Sequence, residues 1–427
     1  LLQEWLYLPT TYNIYMKKVL LLTAGFLMAN VFGQRQCATD LKMKEFYTRN
    51  PQALAKKEDL RNYLTSKNAA VNTMAKNGQT VITIPVVVHV LYGSAAQNIS
   101  DAQIASQIAI LNNDFRKLNP NFSSVVPDAF KPYAADMELT FCMATKTPAG
   151  ASTTGIERKS VASNFDFANK YYLASGLTAW DPTKYLNIWV GNMPSPYLGW
   201  AYLPDAAGFP EDGLAIGYKY FGTTGAAVAP YNGGRTATHE IGHYFGLLHP
   251  WGEDGSACGT PDNDDGCADT PAINDAHYGG NVFPDNGFMC NPTANGAMFM
   301  NFMDYVTDTE MAFFTNDQKT IKTNTMAGPR ASLLNSNACA FLSVNDVEKV
   351  NSINLFPNPT TQYISIASPL APINEVEIFN AEGRLVKKAF IKNETDKIDV
   401  KDFASGVYYV RTYNGKDFVK SMKFIKK

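Results

Sequence analysis

Residues 238–252, THEIGHYFGLLHPWG, set three of the chain's five histidines within eleven positions and a glutamate directly behind the first of them. A helix brings residues i and i+4 one turn apart on one face, so His239 and His243 can aim their imidazoles at a single point. Glu240 then stands beside that face, close enough to hold a water without being a ligand. Gly246 ends the apolar helical run, where a residue without Cβ can turn left-handed and end the helix, and the chain can bring His249 back from another direction. Three imidazoles from two directions suit tetrahedral Zn2+ with one position open to water, the arrangement of a catalytic site. His89 and His277 lie outside the pattern and are read as ordinary packed or surface histidines.

A second motif follows some fifty residues later: NFMDYVTD, 301–308. HEIGHYFGLLH together with this methionine-bearing turn resembles the metzincin metallopeptidases. Within them the chain resembles the pappalysin family, through PVVVHVLYG, ISDAQIASQIAILNNDFRKLN, TTGIERK, ADTPA and MFMNFMDYVTDTEMAFFTNDQ, over about residues 80–340. The resemblance implies that His239, His243 and His249 bind zinc, that Glu240 is the general base, that Met303 forms the apolar floor under the metal, and that Tyr305 approaches the metal and the developing oxyanion. It implies a zinc endopeptidase acting on proteins or peptides; the competing class is a non-catalytic adhesin or binding protein on the same scaffold. A thermolysin-type site would use a distant glutamate as third ligand, and His249 at this spacing argues against it.

Around the site, the strand signal is sharp at 80–93, and Ser100 caps an amphipathic helix with apolar residues at 104, 108, 111 and 115. Further strands are expected at 137–145, 185–193 and 213–222, and the histidine helix at 235–247. The fold class expected is α+β, a mixed sheet backed by helices. After about 344 short alternating runs separated by Gly, Asn and Asp predict a small all-β sandwich. That tail resembles the C-terminal sorting domain of type IX secretion, which implies the export machinery as a partner; the alternative is a substrate-binding accessory module.

With 427 residues, 37 basic against 39 acidic and no like-charge block, the chain carries no footprint for nucleic acid. Residues 16–33, MKKVLLLTAGFLMANVFG, read as a secretory signal peptide, its apolar core too short to span a bilayer. No transmembrane anchor is expected, and residues 1–15 read as an upstream extension. Gln36 before Cys37 does not suit a lipid-anchoring signal. The expected organisation is then a pro-segment over 34–78, with a plain helical lead-in as the alternative, a catalytic domain over 79–342 and the β domain over 343–427. The product is expected to be secreted or held at the cell surface.

Between His249 and Met303 lies GEDGSACGTPDNDDGCADTPAIND, dense in oxygen ligands suited to a hard cation. Asp265, Asp269 and Thr270 are the candidate Ca2+ ligands, in keeping with calcium near the DTP segment in the resembled family; Asp262 and Asp264 are read as bystanders. The six cysteines of an exported chain can form disulfides. Cys258 and Cys290 resemble a family disulfide closing this loop. The family's second pair is expected to be absent, since DTEM stands where a cysteine is usual, and Cys142, Cys267 and Cys339 stay unassigned. Asp308 and Glu310 in that segment are candidates to line the pocket for the residue after the cleaved bond, favouring a basic side chain. Cys37 can place a thiolate on the open metal position and keep the precursor latent, as the family implies; a structural disulfide is its alternative.

Overall fold

The computed structural model describes residues 35–67, 81–252, 258, 265–339, 353–368, 373–381, 384–393, 396–415 and 417–427. The expected signal peptide, Asp262 and Asp264 lie outside them. The chain divides into two compact units after Cys339.

The first unit opens with helix α1 (Thr39–Arg49) and helix α2 (Lys57–Thr65). Met43, Phe46 and Tyr47 recur at helical spacing and form the buried stripe of α1. The sheet comprises β1 (Ile82–Tyr92), β2 (Leu139–Met143), β3 (Ile156–Ser160), β4 (Leu186–Gly191), β5 (Gly199–Ala201) and β6 (Leu214–Gly217). Its order is β2-β1-β4-β6-β5, with β3 pairing the later half of β1. Every pair is parallel except β5 with β6. A parallel strand is buried on both faces, which is why β1 reads as a continuous run of β-branched residues. The antiparallel strand β5 is the short edge that borders the histidines.

Helix α3 (Asp101–Asp114) starts where Ser100 accepts from Gln103 N, and it packs on the sheet and on α4 (Arg235–Tyr244), the histidine helix. Helix α5 (Asn316–Ala327) begins with a reciprocal capping box between Thr315 and Gln318. The main core joins both sheet and helices through Val86, Val88, Ile188, Ile241, Phe302 and Met303, all fully buried. Leu64 of α2 enters that same core.

Cys142 on β2 is bonded to Cys339, and Cys258 to Cys290. The first pair assigns two of the three cysteines that the sequence left open; they are 197 residues apart, a separation that no local spacing can reveal. Cys37 and Cys267 are free thiols.

The second unit contains β7 (Asn354–Phe356), β8 (Tyr363–Ala367), β9 (Glu375–Phe379), β10 (Leu385–Phe390), β11 (Ile398–Asp399), β12 (Gly406–Asn414) and β13 (Asp417–Lys426). They form antiparallel sheets ordered β11-β8-β7 and β10-β9-β12-β13, sharing a core of Ile364, Ile366, Val376, Ile378, Val410 and Phe424. Two antiparallel sheets over one apolar core are the all-β tail expected from the alternation. Among the described residues no helix is long and apolar enough to cross a membrane.

Candidate metal centre and active site

Helix α4 carries His239 and His243 on one face, and both rings are fully buried. His239 Nδ1 donates to Phe302 O and His243 Nδ1 to Leu247 O, each at 2.8 Å. Because a carbonyl only accepts, these bonds hold the proton on Nδ1 and leave a lone pair on Nε2. Gly246 has φ +90°, and Leu247 N returns to Gly242 O at 3.0 Å, closing the helix end. His249 then folds back, stacked on Trp251 at 4.6 Å between ring centres.

The three Nε2 atoms lie 3.1, 3.2 and 3.3 Å from one another. Three lone pairs crowded together repel unless a cation lies between them. Nitrogens of a tetrahedral site at Zn–N distances of about 2.0–2.1 Å would be roughly 3.3 Å apart, so the donor set fits a metal ion. Burial holds the His239 imidazole well below its usual range and pushes His243 down to about 3, so both are neutral ligands in waiting. Cys37 Sγ lies beside them, all four atoms falling within 4.8 Å of each other, a group that could hold a metal ion.

Glu240 points to the open side of this cluster. Its Oε2 accepts from Cys37 Sγ and from Thr39 Oγ1, both at 3.3 Å. Burial pushes its pKa up to about 8, against the opposing effects of Cys37, Arg35 and Thr39. The same burial, with Glu240 beside it, raises the Cys37 thiol. A Cβ on Gly199 would come within 3.0 Å of Glu240 Oε1, so the bare backbone of β5 leaves room for the carboxylate.

Met303 lies under the helix. A Cβ on Gly242 would stand 2.3 Å from Met303 Sδ, so the glycine between the two helical histidines is what admits the sulfur. Met303 N donates to Asn301 Oδ1 (2.9 Å), and Asn301 pairs through its amide with Gln318, tying this turn to the cap of α5. Tyr305 packs its ring 5.0 Å from His249 and 5.7 Å from His239, and its hydroxyl accepts from Cys37 N at 3.3 Å.

Asp308 sits at the start of α4, where its Oδ2 accepts from Gly233 N (2.7 Å) and Arg235 N (3.2 Å). Its Oδ1 forms a buried ion pair with Arg35, whose guanidinium also stacks 5.0 Å over the Tyr231 ring. Glu310 is turned instead to Gly280 N (2.8 Å). Asp265 accepts from Thr270 Oγ1 through both oxygens and from Cys267 N, whereas Asp269 accepts from Asp317 N. The two carboxylates of the expected calcium site thus serve different partners. His277 pairs with Asp304 at 2.8 Å, and His89 bridges Glu157 and Asn187, both as packed side chains.

Sequence reasoning missed Arg35, Thr39, Gly242 and Trp251. Arg35 alone had a readable signal: a basic residue two positions before the cysteine, opposite an acidic pocket.

The family profile described as pregnancy-associated plasma protein-A matches residues 174–327, and a secretion system C-terminal sorting domain matches 354–427. An extracellular metalloprotease of Podospora anserina is 30% identical over 246 residues, spanning 56% of this chain and 71% of the relative.

The chain belongs to the pappalysin family of metallopeptidases.

A second extracellular metalloprotease, from Colletotrichum graminicola, is 28% identical over 312 residues, covering 71% of this pappalysin and 94% of the relative. Mature mirolysin of Tannerella forsythia, solved in complex with a cleaved peptide, is 41% identical, covers 60% of this chain and 96% of its own, and superposes with a TM-score of 0.55. A promirolysin mutant from the same organism is 37% identical, with 70% and 97% covered and a TM-score of 0.61. The pro-form thus matches more of this pappalysin than the mature form does. These comparisons show a secreted metalloprotease made as a precursor, with a type IX sorting tail.

Proposed function

We propose that this pappalysin is a zinc endopeptidase held latent by residues 34–78, with His239, His243 and His249 as ligands. Zinc, when bound, supplies Lewis acidity and a water of lowered pKa. Glu240 Oε2 takes the proton of the attacking water and delivers it to the departing amine. Tyr305, once released from Cys37 N, turns its hydroxyl to the carbonyl oxygen as charge develops there. The observation that carries the reading is the placement of Cys37 Sγ, which lies beside the three Nε2 atoms and 3.3 Å from Glu240 Oε2, where a reacting water would stand.

Asp308 selects a basic residue after the cleaved bond. Arg35 of the pro-segment, paired with its carboxylate in the precursor, is the side chain such a pocket takes. Burial from water makes an unpaired carboxylate there costly, which favours a substrate that brings its own cation. We keep Ca2+ at the acidic loop as a proposal resting on oxygen chemistry alone, with Asp265 and Thr270 its assembled half.

The test is cleavage of a peptide library by mature wild type and Glu240→Ala. Wild type is expected to cut before Arg or Lys. Glu240→Ala is expected to keep one zinc per chain and lose about 10²–10⁴-fold in rate; a fully active variant would sink the mechanism, and a library profile without basic enrichment would remove the role of Asp308.

A further inference from the structure

Helix α1 rests on an aromatic floor that the bond-breaking groups do not use. Arg35 fills the Asp308 pocket and Cys37 faces the histidines, so the chain beyond Cys37 leads away from that pocket, on the side of residues that precede the cleaved bond. It follows β5, with Ala38 N donating to Gly199 O at 2.9 Å, and Leu203 N lies 3.4 Å from Met43 Sδ. Phe46 is fully buried, its ring 5.0 Å from Phe209 and 6.0 Å from Tyr202. Lys42 Nζ stands 5.3 Å over Trp200, and the helix ends with Arg49 paired to Glu211 at 3.0 Å.

We propose that, once the pro-segment leaves, Trp200, Tyr202 and Phe209 form an extended subsite taking an aromatic or aliphatic side chain four to five residues before the cleaved bond. The inference rests on the pro-segment and Asp308 readings above. Its reach follows from chain geometry. From Cys37 to Phe46 the path is two extended steps and seven helical ones, at most about 17 Å; an extended substrate covers that in about five residues. The occupant follows from continuity and chemistry. The floor adjoins the metal centre along β5, and in the precursor Met43 and Phe46 cover it, side chains of the class a protein substrate would supply in their place. A substrate need not be helical to do so, because the contacts named above run through the side chains of α1.

The test uses activated mature enzyme and quenched peptides sharing one basic cleavage core. Phe, Leu, Ser or Asp is placed in turn at the third to sixth position before the bond, beside a truncated core starting two residues before it. Phe or Leu at the fourth or fifth position is expected to lower KM about tenfold against Ser, with kcat little changed. Phe209→Ala is expected to erase that preference yet cleave the truncated core as wild type does, and Phe209→Leu to retain most of it. A flat series in wild type overturns the proposal, as does equal slowing of truncated and extended peptides by Phe209→Ala. So does an effect of Phe209→Ala confined to inhibition by an added peptide of residues 36–50. Failure of wild type to cut even the truncated core would count against the endopeptidase reading instead.

Discussion

Replacing Cys37 by alanine removes a half-buried sulfur from the open side of the histidine triad and one donor to Glu240. The precursor of Cys37→Ala is expected to hydrolyse a quenched peptide before any processing, while wild-type precursor stays silent; silence in both would leave Arg35 and α1 as the whole of the latency. Lys322 offers a test away from the metal. Burial holds its ammonium down to about 8, against 10.5 in an open chain, with Lys319 adding repulsion. The folded state therefore bears a cost while this lysine is protonated. That cost is full below pH 8 and fades as pH rises toward 10.5, where the unfolded chain loses its proton too. Lys322→Met is expected to raise stability at pH 7 by on the order of 3 kcal/mol and to flatten the rise between pH 8 and 10.5, measured by denaturant unfolding. At this scale the three imidazoles, Glu240, Met303 and Tyr305 were all readable, because each motif fixes residue type at close spacing. Arg35 was missed, since a basic residue two positions before a cysteine is a faint signal and its partner Asp308 lies 273 positions away.

The histidine helix works through its neighbours as much as through its own turns. Gly242 is the contact point: with Ala there, Met303 Sδ and the new Cβ cannot both keep their places. Gly242→Ala is expected to cost about 1–3 kcal/mol and to weaken zinc binding, read by competition with a chromophoric chelator; unchanged affinity would deny Met303 its role as a floor. The helix spans Arg235–Tyr244, shorter than the 235–247 that apolar spacing predicts, because Gly246 bends the backbone back before the hydrophobic run stops. The expected strands match β1, β2, β4 and β6 with trimmed ends. By contrast, β5 escaped notice: Gly199, Trp200 and Ala201 are three residues with no alternation to see, and they make a strand only because β6 pairs with them. The edge most important to the site was thus the least visible in the sequence, since tertiary pairing and not propensity creates it.

On the scale of the molecule, the chain divides into two compact units after Cys339. Its chemical seal was not legible. The Cys142–Cys339 bond closes a loop of 197 residues that holds β3 to β6, α4, the methionine turn and α5. A cross-link over so long a loop removes much of the freedom of the unfolded chain. Replacing both cysteines by serine is expected to lower stability by about 2–4 kcal/mol, seen as an earlier urea midpoint at unchanged zinc content in the folded enzyme. Cys339 is also the last residue of the first unit. Any pull along the tail would therefore meet a covalent junction with β2 of the central sheet before it reached α5. Along the chain the bond stands as a mooring ahead of the turn that carries Met303 and Tyr305.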